Sequence, residues 1–379
     1  MNAQTLDSIC DFLSGNAWSA SKFKKAGKIA IIRIQNLGNN ENEALVYWDD
    51  WYDNKYVIRK GDMLLSLSGS IKIDFWQRED ALLNQRIVKI TPKEGVHSSW
   101  FFWQIQNVLK QIEQMGRHAL VNNVSLTDLK NFEIKCPPLP TQRAIADQLD
   151  RADALRQKDR QLLREYDALA EAVFVELFGD PVRNEKGWEV ERLEDISART
   201  QIGPFGTQLH AEDYIEGGIP LINPMHIVQN KIKADQKFSV ANEKYAELTT
   251  YHLKTGDIIM GRRGEMGRCA LVTENENGWL CGTGSLFIRP NDKIHSVFLL
   301  SCMTHSSMKK KLENEAKGVT MSNLNLKIVN NLNLILPPYN LQNKFAEILT
   351  NIEQQKALVR QQQAESEALF ERLLQEAFG

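Results

Sequence analysis

The chain has 379 residues, 42% of them hydrophobic and 25% charged, a balance that suits folded protein and excludes disorder and collagen-like repetition. At about one domain per 150 residues it should hold two or three folding units. With 46 basic against 48 acidic residues the net charge is −2, so no global field draws the chain onto nucleic acid and such binding must rest on local clusters or a partner.

In chain order, β-branched and aromatic runs broken by Gly, Asn and Asp predict strands from Ile29 to Ile34, Met63 to Leu67 and Arg86 to Ile90, then a helix from Ser99 to Met115. After Pro137-Pro138-Leu139-Pro140 the chain runs from Thr141 to Phe178 without Gly or Pro. Its apolar residues Ile145, Leu149, Ala152, Leu163, Tyr166, Ala170, Val173 and Leu177 alternate in steps of four and three, a coiled-coil seam interrupted by Arg156 and Asp159. Strands return at Leu221-Ile222, Asp257 to Met260 and Ser285 to Ile288, and a helix is expected from Ser296 to Leu312. A second seam follows through Leu341, Phe345, Ile348, Ile352, Val359, Leu369 and Leu373, with Gln355 and Gln362 in its centre. The prolines stop the preceding strands, and Gly179 and Gly379 suit helix ends. No apolar run reaches the roughly 18 residues of a membrane span, and Met1 to Cys10 lacks the form of a signal peptide. The five cysteines (Cys10, Cys136, Cys269, Cys281, Cys302) include no Cys-x-x-Cys pair and read as core thiols of a cytoplasmic protein.

The same blocks occur twice in the same order. Pro137-Pro138 recurs as Pro337-Pro338 and Phe178-Gly179 as Phe378-Gly379, each 200 residues on. Gly61-Asp62 recurs as Gly256-Asp257 at a shift of 195, and Ile29 to Ile32 matches Ile219 to Ile222 at 190. One unit has therefore been duplicated, with small insertions. The expected fold is α+β: two homologous mixed α/β domains, 1–139 and 181–338, separated by two long antiparallel coiled-coil helices, 140–180 and 339–379, with pseudo-two-fold symmetry. A helix from Gln142 to Phe178 would span roughly 55 Å, too long to bury its seam alone, and its repeat is the obvious mate. Two sibling domains held apart by a helical rod match a duplex read at two half-sites, which lie about 34 Å apart per turn of DNA.

These residues resemble the specificity subunit of type I restriction-modification enzymes over nearly the whole chain. The resemblance is carried by Pro137 to Asp150 with Phe174, Phe178, Gly179, Asp180 and Pro181, by Leu336-Pro337-Pro338-Tyr339, by Gly61 to Gly69, Asn84-Gln85-Arg86, Gly187-Trp188 with Leu193, and by Gly203 to Thr207 ahead of Gly218 to Ile222. The second copy departs from the pattern at Tyr339-Asn340-Leu341-Gln342. The resemblance implies two target-recognition domains, each reading one half of a bipartite, asymmetric site on double-stranded DNA. It also implies helices that dock two modification (methyltransferase) subunits, with restriction subunits joining through them. It further implies that no catalytic residue and no cofactor belongs to this chain, that methyl transfer and ATP-dependent cleavage belong to the partners, and that no membrane is involved.

Enzyme signals fail on their chemistry. Leu336-Pro337-Pro338-Tyr339 is one residue from an amino-methyltransferase motif whose first residue must accept a hydrogen bond from the target amine, which leucine cannot do. Gly261 to Arg268 lacks the Gly-Lys-Ser/Thr ending of a P-loop, and Glu133-x-Lys135 has no spaced acidic partner. The seven histidines form no ligand spacing, so no metal site is expected, and no Gly-x-Ser-x-Gly occurs. Two alternatives stay open: a methyltransferase or nuclease with fused recognition domains, and a coiled-coil adaptor that does not bind DNA.

Base reading needs Arg, Asn, Gln and small polar groups on short loops, and phosphate grip needs basic groups and glycine-rich turns. In the first copy these residue types gather at Ser68, Gly69, Ser70, Lys72, Gln77 and Arg78, and at Asn84, Gln85 and Arg86. In the second copy they gather at Gly203, Phe205, Gly206, Thr207 and Gln208, at Arg262, Arg263, Gly264 and Arg268, and at Thr283 within Gly282-Thr283-Gly284. Lys22, Lys24, Lys25 and Lys28, and Lys309 to Lys311, are further candidates for phosphate. The aromatics of Trp48 to Trp51 and Trp100 to Trp103 read as core or interface rather than base stackers.

Overall fold

The computed structural model describes residues 3–38, 44–115, 124–206, 208–264, 267–316 and 324–379. The chain forms two compact units, Met1–Gln161 with Arg360–Gly379, and Leu162–Val359. Each long helix gives part of its length to each unit.

Unit 1 runs β1 (Ala3–Thr5), α1 (Leu6–Ile9), β2 (Cys10–Ser14), β3 (Ile29–Ile31), β4 (Val46–Trp48), β5 (Val57–Ile58), β6 (Met63–Ser66), β7 (Ile73–Phe75), β8 (Ala81–Leu82), β9 (Ile87–Pro92), α2 (Ser98–Met115), α3 (Leu126–Asn131), β10 (Glu133–Lys135) and the start of α4 (Leu139–Phe178). One antiparallel sheet has the order β2-β9-β6-β7; a second, β4-β3-β8-β5, contains the parallel pair β3 and β8; β1 pairs with β10. The first sheet buries Met63, Leu65, Val88 and Ile90 against Trp100, Phe101 and Ile105 of α2.

Unit 2 repeats this topology with β11 (Val190–Arg192), β12 (Ser197–Ile202), β13 (Tyr214–Ile215), β14 (Ile219–Ile222), β15 (Ile227–Val228), β16 (Lys231–Ile232), β17 (Ser239–Val240), α5 (Asn242–Glu247), β18 (Ile258–Gly261), β19 (Cys269–Leu271), β20 (Leu280–Cys281), β21 (Ser285–Pro290), α6 (Ser296–Thr304), α7 (Ser306–Ala316), α8 (Leu326–Asn330), β22 (Asn333–Ile335) and the start of α9 (Tyr339–Phe378). The sheet β12-β21-β18-β19, the parallel pair β14 and β20 and the pair β11 with β22 answer those of unit 1, while the second sheet, β13-β17-β14-β20, adds its fourth strand at the opposite edge and β15 with β16 forms an extra pair. The expected single helix from Ser296 to Leu312 is broken: His305 adopts an extended backbone and its Nδ1 accepts from the Ser307 N–H, starting α7 afresh.

The recurring Gly-Asp pairs have a shared purpose. Gly61 and Gly256 take φ of +93° and +90°, which a side chain would strain, and turn the chain into β6 and β18. The adjoining carboxylates close the turns by accepting from the Arg59 and Lys254 N–H groups. Each then holds a cation on the neighbouring strand, Asp62 with Lys89 at 2.8 Å and Asp257 with Arg289 at 2.7 Å.

The long helices begin directly after the Pro-Pro pairs, where Pro138 and Pro338 carbonyls accept the first helical N–H groups. A buried glutamine anchors each start. Gln142 accepts from the His97 N–H (2.7 Å) and donates to the Pro137 carbonyl (2.8 Å); Gln342 accepts from the His295 N–H (2.8 Å) and donates to the Pro337 carbonyl (2.8 Å). The departure at Tyr339 therefore leaves the anchor intact. At 40 residues each helix is about 60 Å long, and Gly179 ends α4 at φ +75°.

Within each unit the two helices run antiparallel. In unit 1, Trp103, Leu149 and Ala152 pack with Phe370, alongside Ile145 and Leu373; in unit 2, Phe174 and Phe178 pack with Phe345, alongside Val173, Leu177 and Leu349. Of the expected seam, Leu149, Phe345, Ile352 and Val359 are buried, while Ile145, Leu163, Tyr166, Val173, Leu177, Ile348, Leu369 and Leu373 are half-buried. The second seam's polar positions differ from expectation. Gln355 and Gln362 face solvent, and Lys356 and Ser366, one and four residues further on, are buried instead.

The polar seam positions form two equivalent triads. Arg156 sits between Asp153 on its own helix (3.2 Å) and Glu367 on the opposing one (3.4 Å), with its guanidinium 3.8 Å from the centre of the Phe370 ring. Two hundred residues on, Lys356 sits between Glu353 (2.5 Å) and Asp167 (2.6 Å). Asp159, 2% exposed, accepts from the Ser366 hydroxyl at 2.7 Å. Polar groups inside an apolar seam are stable only in the register that pairs them, which makes these contacts register markers. Removing the donor should cost about 1–3 kcal/mol, because a buried carboxylate is left unpaired. We therefore expect Ser366→Ala to lower stability in urea unfolding by that amount, and Gln362→Ala, at an exposed site, to leave it unchanged.

Candidate nucleic-acid interface

In unit 2 three loops meet at one end of the β12-β21-β18-β19 sheet. The 203–206 turn leaves β12, the 262–264 turn leaves β18, and 282–284 leads into β21. Backbone bonds tie them together: Gly203 N–H to the Ser285 carbonyl (3.0 Å), Arg262 N–H to the Gly284 carbonyl (3.0 Å), and Ser285 N–H to the Gly282 carbonyl (2.9 Å). The glycines are required by closeness: a Cβ on Gly203 would stand 1.9 Å from the Gly282 carbonyl oxygen, and one on Gly284 would stand 2.9 Å from Pro224.

Unit 1 builds the same frame. Gly15 N–H donates to the Ile87 carbonyl (3.1 Å), Leu67 N–H to the Arg86 carbonyl (2.9 Å), and Ile87 N–H to the Asn84 carbonyl (2.9 Å). A Cβ on Gly15 would stand 2.1 Å from the Asn84 carbonyl oxygen. Asn84-Gln85-Arg86 thus occupies the place of Gly282-Thr283-Gly284, and 67–72 the place of 262–268. The Gly15-Asn16 turn, equivalent to Gly203-Pro204, was not singled out from the sequence; its signal is a glycine directly after the first sheet strand in both copies.

The candidate residues divide by exposure. Gly69, Ser70, Gln85 and Arg86 in unit 1, and Phe205, Gly206, Gln208, Arg263, Gly264 and Thr283 in unit 2, are exposed. Lys72, Asn84 and Arg268 are half-buried, and Gly203 and Ser68 are buried. Arg262 is corrected to an inward position: it is 6% exposed and its Nε donates to the Leu324 carbonyl (3.0 Å), while Leu324 N–H donates to the Arg262 carbonyl. Burial and the neighbouring Arg263 both push its guanidinium pKa down. Arg268 donates to the Pro224 carbonyl (3.1 Å) and so braces the loop on β14's exit. Gln208 accepts from the Tyr251 hydroxyl (2.6 Å). Gln77 and Arg78 follow β7 at the end opposite to Gly69, so the structure does not bring them to this cluster. Thr207, with Glu265 and Met266, lies outside the described residues.

The lysine clusters also separate. Lys309 of α7 packs beside Gly267 and joins the 262–268 loop. Lys22 and Lys24 are each already paired, with Asp50 and Asp49 at 2.6 Å. The tryptophans behave in two ways. Trp100 and Trp103 are core, as are Trp18 and Trp48, but Trp51 is exposed. The Leu336 to Tyr339 motif is the strand-to-helix turn held by Gln342, and Cys269, Cys281 and Cys302 are buried thiols, that of Cys269 pushed up to about 12 by desolvation. Among the described residues no group of three His, Cys, Asp or Glu is placed to hold a metal ion, and no helix is long and apolar enough to cross a membrane.

The geometry distinguishes a frame residue from a surface residue on the same loop. Arg262→Ala removes a charge-assisted hydrogen bond inside the protein and is expected to cost about 1.5–3 kcal/mol in chemical unfolding. Arg263→Ala is expected to change stability by less than about 0.5 kcal/mol in the same measurement.

Comparison with known proteins agrees with this architecture. The family model of the type I restriction modification DNA specificity domain matches residues 1–164 and 185–368. The chain is 24% identical to the type I restriction enzyme EcoBI specificity subunit of Escherichia coli over 92% of this chain and 78% of that protein. It is 23% identical to the MjaIX specificity subunit of Methanocaldococcus jannaschii over 77% of this chain and 71% of that one. Among solved structures, the type I restriction-modification S subunit from M. genitalium matches 100% of this chain and 96% of its own with a TM-score of 0.64 at 17% identity. A chain from a type I R-M system matches with a TM-score of 0.53 at 18% identity, covering 100% of this chain and 97% of its own. Two copies of one sheet-and-loop frame, matched along both halves by one family model, establish that this chain belongs to the type I restriction-modification DNA specificity family.

Proposed function

We propose that each unit reads one half of a bipartite, asymmetric site on double-stranded DNA for a type I restriction-modification complex. The observation that carries this is one loop frame bearing different side chains. Where unit 1 exposes Gln85 and Arg86, unit 2 exposes Thr283; where unit 1 exposes Gly69 and Ser70, unit 2 exposes Arg263 and Gly264. Arg suits guanine, Gln suits adenine, and a hydroxyl accepts or donates with less discrimination. Identical frames with unlike donors imply unlike half-sites.

In this reading 1–139 and 181–338 are the reading domains and 140–180 and 339–379 the spacer helices. The helices also dock two modification subunits. Leu155, Leu162 and Leu169 of α4 follow a seven-residue spacing, so they share a face, and they are 43%, 37% and 47% exposed. A leucine stripe left in water on a helix whose opposite face is already packed suits a partner helix. Restriction subunits join through the modification subunits, which perform the methyl transfer, and cleavage driven by ATP belongs to the restriction subunits. The chain itself acts in the cytoplasm as a non-catalytic reader and scaffold.

Two measurements test this. Arg86→Ala and Arg263→Ala should each weaken binding to the recognised duplex by about 1–3 kcal/mol in gel shifts against random competitor DNA at one salt concentration. Unchanged affinity in both would remove these loops from the interface. The triple substitution Leu155→Glu, Leu162→Glu and Leu169→Glu should abolish co-purification with the modification subunits and leave DNA binding by the chain unchanged; retained co-purification would place their docking elsewhere.

A further inference from the structure

Trp51 is 83% exposed, the most exposed large hydrophobic side chain among the described residues. It lines a recess of about 460 Å³ in unit 1 together with Trp18, Trp48, Tyr52, Tyr56 and Asn16. The rings are held in place: Trp18 lies 5.2 Å from Trp48 and 5.9 Å from Tyr56 between centroids, and its indole N–H donates to the Leu83 carbonyl (2.9 Å). The Trp48 indole donates to the Trp51 carbonyl (3.3 Å), fixing the backbone that carries the exposed ring.

The charges around the recess cancel in pairs. Lys22 is bound to Asp50 (2.6 Å) and Lys55 to Asp53 (3.1 Å). The same two ammonium groups lie over Trp48 (5.7 Å) and Tyr56 (4.9 Å), so those ring faces already have their cations. A phosphate would meet Asp53 and two lysines already bound to carboxylates, and a second cation would meet those two lysines. What the recess leaves unmatched is flat aromatic area, which suits a flat, uncharged heteroaromatic ring.

The recess adjoins the loop that unit 1 offers to DNA. Asn16 bridges Asn84, and its carbonyl accepts from the Gln85 N–H (2.9 Å). We propose that the recess takes a nucleobase swung out of the duplex at the edge of the half-site read by unit 1, stacked against Trp51. This rests on the reading of the 84–86 loop as a DNA contact. A base inside a duplex has both faces covered, so only an unstacked one fills such a space. Stacking is tolerant of base identity, and the site would contribute affinity more than sequence preference.

The test uses the full-length chain alone with duplex DNA bearing its mapped site, and with single mismatches placed in turn across the unit 1 half-site and its flanks. Trp51→Ala should weaken binding roughly 5- to 150-fold, and Trp51→Phe should retain most of it. A mismatch lowers the cost of extrusion, so one position should tighten binding by the native chain and not by Trp51→Ala. If Arg86→Ala weakens binding and Trp51→Ala does not, the recess proposal falls and the loop reading stands. If neither weakens it, both fall. Lost affinity in Trp51→Ala with no position-specific mismatch response, or Trp51→Phe as weak as Trp51→Ala, overturns the recess proposal as well.

Discussion

The burial of one long helix's beginning against the other's end is the contact on which each unit depends. In unit 1 the 360–379 stretch of α9 brings Phe370 to Trp103 and Phe378 to the core beneath the first sheet. In unit 2 the last turns of α4 bring Phe174 and Phe178 to Phe298 and Phe345. Unit 1 closes only when the chain's last stretch, Arg360–Gly379, returns to it, whereas unit 2 is the continuous stretch Leu162–Val359. The seam must therefore hold one register, and its apolar steps of four and three do not by themselves forbid a slip of a heptad. The paired triads around Arg156 and Lys356 supply what the leucines lack, since a slip would separate each cation from the opposing acid.

Above that foundation the two units keep one frame and vary what it displays. The fixed parts are backbone and glycine: Gly15 and Gly203 where loops touch, the Gly-Asp turns, and the glutamine anchors at the helix starts. The variable parts are exposed side chains at matching places. Such a division allows exposed residues to change without disturbing the sheet, because the bonds that tie the loops to one another run through main-chain atoms. Arg262 shows the opposite use of a charged residue on such a loop. Its guanidinium turns inward to a carbonyl and steadies the turn from which Arg263 projects.

Much of this was legible in the sequence because duplication supplies its own alignment. The recurrence of Pro-Pro, Gly-Asp and Phe-Gly blocks fixed the two copies, and the gap-free stretches with heptad spacing marked both long helices to within a few residues. What escaped has local physical causes. His305 ends α6 through its own extended backbone, although nothing in Ser296 to Leu312 is a helix breaker. Lys356 rather than Gln355 takes the buried position, a place rare for a lysine, and only the opposing Asp167 and neighbouring Glu353 make it tolerable. Arg262 and Arg263 are the same residue type side by side, and only the bonds between Arg262 and the distant Leu324 turn one inward while the other faces solvent. The aromatic recess gathers residues from 16–18 and 48–56 through strand pairing, and separation along the chain hides it.

The central claim is that one polypeptide carries two unlike readers on a common frame. The most direct measurement is the map of methylated positions in DNA from cells carrying this chain with its modification subunits. The account predicts one motif in two parts of different sequence, divided by unspecified base pairs. A continuous motif, or one whose two parts are the same sequence in inverted repeat, would contradict it.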